Sequence, residues 1–339
     1  VQMNSASSGV RKTACVRIGG ALAAFSLLFA LPQAANAARQ NNDVPAWLDS
    51  HVGDGPNQIA WPVLKRARAL YMQRVAEGKV KNACYFAMDA TKPNDPGDGK
   101  TGGRFYIVCE AAQSFEAMSA GHGSGKNLGG VADFSNGRTC ARNFGNALDS
   151  NLTMGGSYLT SEIKTSFKGY YKASGGAQAA YLRSFLQFDG EGETANARQR
   201  AIGGHAAAKV GGICMMKNAS SPYANKEGYV PFGSLITYAG GRSDGCTSWS
   251  PADASEVIGK VKDNPTTLYI YPESKDIEAV AKAAAAKAPL VNTGLYWNDD
   301  CLKAIGKPKF WAKAQLEPVI EKYKADHPPL PAKPIPICN

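Results

Sequence analysis

The chain has 339 residues, and it carries no Asp or Glu before residue 43. Histidine is scarce, with four in all, and none of the eight cysteines stands in C-x-x-C spacing. A zinc ribbon or a thioredoxin-type site needs such clustering, so no metal and no cofactor is expected. The one long apolar run, from Ile18 to Leu31, ends at Pro32 and falls short of the roughly 20 residues that cross a bilayer. Charged residues make up only 19% of the chain, and no internal repeat is visible. The formal charge is nevertheless +10. The Lys and Arg residues are scattered rather than gathered into an aromatic-interleaved stripe, which argues against nucleic acid as the partner.

What is present at the start has the pattern of an export signal. Arg11, Lys12 and Arg17 precede the apolar run, and Ala35-Asn36-Ala37 supplies a small-x-small cleavage pattern. Residues 1–37 are expected to be removed, leaving no stable membrane span and a basic protein in the periplasm or cell envelope. Seven cysteines then remain: Cys84, Cys109, Cys140, Cys214, Cys246, Cys301 and Cys338. An oxidising compartment favours disulfides, and an odd count leaves one thiol over.

Periodicity gives the organisation. Val63, Leu64, Ala67, Leu70, Tyr71 and Val75 recur at helical spacing before Gly78, so residues 38–80 are expected to form a lead-in and a helix. Cys84 to Met88 and Arg104 to Cys109 are strand-like, around a loop rich in Pro, Asp and Gly. A symmetric hairpin places Ala87 opposite Tyr106 and allows a Cys84–Cys109 bridge. Residues 119–160 are expected to be loops with short strands. Leu182 to Phe188, Ala201 to Val210, Leu235 to Ala239 and Thr266 to Tyr271 are strand candidates. Ser250-Pro251-Ala252-Asp253 is a helix start, with Ser as cap, Pro in the first turn and an acid three residues on. Beyond it, residues 273–339 are expected to form a helical, Pro-rich extension packed on the core. Its helices are placed at Lys275 to Lys287 and Phe310 to Lys324, and its end is tied down through Cys338, with Cys301 the candidate partner.

Chemistry concentrates in Arg242-Ser243-Asp244-Gly245-Cys246-Thr247, between a strand and a helix start. A thiol on such a turn can act as an acyl-transfer nucleophile if a base stands close, and His205 in Ile202-Gly203-Gly204-His205 is the candidate base. Together with the Gly-rich segment around His122, these motifs resemble the L,D-transpeptidase catalytic domain family, in the branch with Arg-Ser-x-Gly-Cys. The resemblance covers roughly residues 81–272. It implies a mainly β fold with peripheral helices, built on a sandwich or barrel-like catalytic core. It further implies a Cys246 thioester on peptidoglycan stem peptides, His205 as base, and the Gly245 and Cys246 N–H groups as oxyanion donors. Arg242, Ser243 and His122 would contact substrate. Asp244 and Ser248 stand where better-known members carry His and Arg. Two other readings stay open: an L,D-carboxypeptidase or other amide hydrolase on stem peptides, and a non-catalytic wall-binding protein with an idle thiol. Ala120 to Asn127 resembles a phosphate loop but lacks its first Gly and its Ser or Thr.

Overall fold

A computed structural model describes residues 45–94, 102–238, 243–290 and 293–339. The expected signal segment and Arg242 lie outside those residues. The centre of the fold is three strands: β1 (Tyr85–Asp89), β2 (Phe105–Cys109) and β11 (Thr267–Tyr271). β1 pairs antiparallel with β2, with Ala87 opposite Tyr106, and parallel with β11, with Ala87 opposite Tyr269. Every residue of the three strands is buried.

Period-two alternation explains that burial. Tyr85, Ala87, Tyr106, Val108, Tyr269 and Tyr271 point to one face. There they pack on Val63, Leu64, Ala67 and Leu70 of helix α1 (Trp61–Ala76). Phe86, Met88, Phe105, Ile107, Leu268 and Ile270 point to the other face. They meet Val257 and Val261 of α2 (Pro251–Val261) and Ile277 and Val280 of α3 (Ser274–Ala285). Strands that are apolar on both faces require a helical layer on each. Each fully buried large side chain here contributes about 1.5–3 kcal/mol of transfer free energy.

This requirement corrects the fold expected from the sequence. The chain is mixed α/β, and its ten-stranded sheet is open rather than a barrel or sandwich. The main path runs from β10 (Thr247–Trp249) through β7 (Gly203–Ala206), β6 (Gln178–Gly190), β5 (Gly156–Lys172), β11, β1 and β2 to β3 (Ser114–Met118). The end strands are β3 and β10, and among the described residues no ladder joins them. The isolated bridges Gly121↔Ser248 and Gly123↔Ser243 link β10 and the turn before it to the loop after β3.

The largest departure is a pair of long strands. β5 (Gly156–Lys172) pairs antiparallel with β6 (Gln178–Gly190), and β8 (Ala208–Lys217) pairs with β9 (Tyr229–Thr237), which also joins β5. The segment read as Ala201 to Val210 is thus two strands, β7 (Gly203–Ala206) and β8. The Ser250 cap forms as expected, its hydroxyl accepting from the Asp253 N–H at 3.1 Å.

Val44–Asn339 forms one compact unit. Disulfides join Cys84 to Cys109, Cys140 to Cys301 and Cys214 to Cys338. The first is the cross-strand pair expected. The other two replace the expected Cys301–Cys338 link, because Met215 and Ile337 bridge and bring the tail alongside β8. Phe310, expected in a helix, lies in β12 (Lys309–Trp311), which pairs with β4 (Asn143–Gly145). The last helix, Lys313–Asp326, buries Leu316 and Ile320 against Leu128, Phe134 and Leu152.

Candidate functional site

The two long strands build the floor of a cleft of about 1140 Å³. Lys164, Ser166 and Lys168 alternate along β5 and share one face, as do Arg183, Phe185 and Gln187 along β6. Register aligns them in rows: Lys164 lies opposite Phe185, Phe185 opposite His205, and Ser166 opposite Arg183. Lys126, Arg200, Lys209, Ile236 and Tyr238 complete the walls, and Cys246 lines the cleft with Ser243 and Asp244.

The charge of this cleft is lopsided. Six cationic side chains line it, Lys126, Lys164, Lys168, Arg183, Arg200 and Lys209, against the carboxylates Asp149 and Asp244. Asp149 is already paired with Lys324, and Asp244 accepts from Asn151 at 2.8 Å. Of the six cations only Lys164 is in an ion pair among the described residues, with Glu162 at 3.1 Å. Arg200 donates to the Leu152 carbonyl at 2.6 Å. The cleft therefore presents free positive charge in a concave setting that focuses its field.

Cys246 is the one cysteine outside the disulfides among the described residues. It is 6% exposed, and its thiol donates to the Ala201 carbonyl at 3.5 Å. Burial pushes the thiol up to about 11, and the nearby Gly203 N–H and the charges of Arg183 and Arg200 offset only part of that rise. At pH 7 the thiolate is then about one part in ten thousand. No hydrogen bond joins Cys246 to His205 among the described residues.

His205 is turned to other work. Its Nδ1–H donates to the Ala206 carbonyl at 2.9 Å, and its ring stacks on Phe185 at a centroid distance of 6.2 Å. Burial first, then the charges of Arg183 and Lys168, lower its pKa to about 4. The imidazole is neutral at pH 7. It stands among cations that disfavour the imidazolium a general base must become.

These observations overturn the transpeptidase reading. A Cys–His acyltransferase needs an activated thiol paired with its base, and this thiol is protonated, buried and bonded to a backbone carbonyl. The oxyanion role expected of the Gly245 and Cys246 N–H groups falls with the thioester. The open α/β sheet also departs from the barrel-like core that the resemblance implied. Comparison with family models, curated proteins and solved structures finds no match for the chain.

The remaining expected site residues have structural partners. His122 is 0% exposed and is not among the residues that line the cleft. Its Nδ1 accepts from Arg104 at 2.7 Å and its Nε2–H donates to the Gly137 carbonyl at 3.0 Å. The Ser243 hydroxyl is shared between the carbonyl oxygens of His122 and Cys246, at 3.0 and 2.6 Å, and so braces the turn. Gly245 holds φ +103°, and a Cβ there would lie 2.7 Å from the Leu152 oxygen. Its lack of a side chain serves the turn itself.

Sequence reasoning missed the cations of β5 and β6. Alternation at Lys164, Ser166 and Lys168 was the available signal. Bulges between Thr160 and Ile163 and between Phe167 and Tyr170 shift the phase on either side of it, so no single period runs the length of β5.

Proposed function

We propose that this is an exported cell-wall-binding protein that works without thiol chemistry and holds the carboxylate-rich stem peptides of peptidoglycan in its basic cleft. The observation that carries the reading is the surplus of unpaired cations over carboxylates along the β5–β6 floor. Stem peptides offer several carboxylates on a short backbone, and charge-assisted hydrogen bonds to Lys and Arg are the strong class of such contacts. Phe185, Ile236 and Tyr238 give the peptide an apolar strip between the charges. Three disulfides fit an oxidising compartment, in keeping with export to the periplasm or envelope. Among the described residues no helix is long and apolar enough to cross a membrane.

Co-sedimentation with purified peptidoglycan sacculi tests the reading. Wild-type protein is expected in the pellet at low salt and to be released as salt screens the charges. Lys168→Glu with Lys209→Glu, both exposed positions in the cleft, is expected to weaken retention about tenfold or more. Lys322→Glu with Lys333→Glu, the same charge change outside the cleft, serves as control. Equal loss in both pairs would reduce the interaction to net charge and refute a cleft-specific site.

A further inference from the structure

The cleft uses neither α3 nor the small β4–β12 sheet, and a second groove of about 700 Å³ opens between them. Arg142, Lys282, Lys307 and Lys309 line it, with Glu278 the sole carboxylate among its lining residues. None of the four cations has an ion-pair partner among the described residues. Pro308, Phe310 and the Ala281 and Ala285 methyl groups of α3 supply an apolar surface beside them.

Three of the cations, Arg142, Lys307 and Lys309, sit on segments tied to one another. The Lys309 N–H donates to the Arg142 carbonyl at 2.8 Å, and Arg142 Nε donates to the Lys307 carbonyl at 3.2 Å. Lys309 Nζ sits 3.3 Å from the centre of the Trp311 ring, and that ring is fixed by its own bond to Asn143 at 2.9 Å. The Cys140–Cys301 disulfide staples together the two segments that carry Arg142 and Lys307. Burial, with the charges of Arg142 and Lys307, lowers the Lys309 pKa, as expected of like charges held close. The terminal nitrogens of Arg142 make no other hydrogen bond among the described residues, which leaves their fork for an oxyanion.

We propose that this groove is a second anion site, separate from the peptide cleft, and that it takes a phosphate-type oxyanion of at least two negative charges, of the diphosphate class. Four cations against one carboxylate match such a charge, and Phe310 can pack against a small apolar substituent. The site does not depend on the cleft's proposed ligand.

Calorimetric titration of the full oxidised chain with inorganic pyrophosphate at low ionic strength tests it. Saturable binding is expected to persist in Lys168→Glu/Lys209→Glu. Adding Lys307→Glu/Lys309→Glu is expected to weaken it at least about tenfold. All four positions are exposed, and thermal melts of each variant check the fold. Lys282→Glu, on the exposed side of α3, is the second groove variant should the first melt early. Binding that survives loss of the groove charges but disappears with the cleft charges would assign the anion to the cleft and overturn the proposal. Equal weakening by either pair, or no saturable binding at all, would overturn it as well.

Discussion

Acidification should loosen this fold through His122, and the size of the effect follows from its surroundings. Arg104 is fully buried, and its guanidinium donates to three neutral acceptors: the Ala120 carbonyl at 2.7 Å, the Lys92 carbonyl at 2.8 Å and His122 Nδ1 at 2.7 Å. A proton on His122 would end the last bond and set two cations side by side without water. Burial, with the Arg104 charge, accordingly lowers the His122 pKa from 6.5 to about 3. Because the folded value is depressed, the stability is present above pH 6.5 and is lost as pH falls from there toward 3. At pH 5 the unfolded imidazole is about 97% protonated and the folded one about 1%, a difference of about 2 kcal/mol. His122→Gln is the informative variant. Its amide oxygen can accept from Arg104 and its NH₂ can donate to Gly137, yet it does not titrate. Urea unfolding at pH 7.5 and pH 5.0, with the disulfides intact, should show wild type losing about 2 kcal/mol more than the variant. An equal loss in both proteins would refute the neutral His122–Arg104 pair.

Further outcomes follow from the same geometry. Modification of Cys246 by a disulfide reagent should be very slow at pH 7 and rise about tenfold per pH unit toward its pKa of about 11; rapid labelling at neutral pH would show an activated thiol. Gly245→Ala forces a side chain onto a φ of +103° and against the Leu152 oxygen, and should cost about 1–3 kcal/mol by thermal or urea unfolding. A Cβ at Gly204 would lie 2.1 Å from the Trp249 ring, so Gly204→Ala should cost about 1–3 kcal/mol through overpacking, whereas an unchanged melt would mean that the ring moves freely. Ser250→Ala should remove about 1 kcal/mol by the same assays, since its hydroxyl caps α2.

Local signals were legible where one element dictates its own geometry. Ala87 opposite Tyr106, the Cys84–Cys109 bridge and the Ser250 cap all follow from short-range pattern. The open sheet was not legible, because its shape depends on the parallel β1–β11 pairing between segments about 180 residues apart. Nor was the end of β12, where Phe310 and Trp311 look helical until Phe144 and Gly145 are known to lie alongside. The candidate site was half visible. Cys246, His205 and Ser243 do border one cleft, yet their chemistry is set by burial, by Lys168, which arrives from a strand whose bulges break its period, and by Arg183, which lies in the expected Leu182 to Phe188 strand but meets them only through long-range pairing. A motif supplies residue types at a spacing. The protonation state of its thiol belongs to the environment.

Titration of a purified stem tetrapeptide, with intact-mass analysis of every sample, measures both halves of the central claim at once. Saturable, salt-sensitive binding is expected, unchanged in Cys246→Ser and weakened in Lys168→Glu/Lys209→Glu, with peptide and protein masses unaltered throughout. A covalent adduct on Cys246, or a trimmed or crosslinked peptide that disappears in Cys246→Ser, would contradict it.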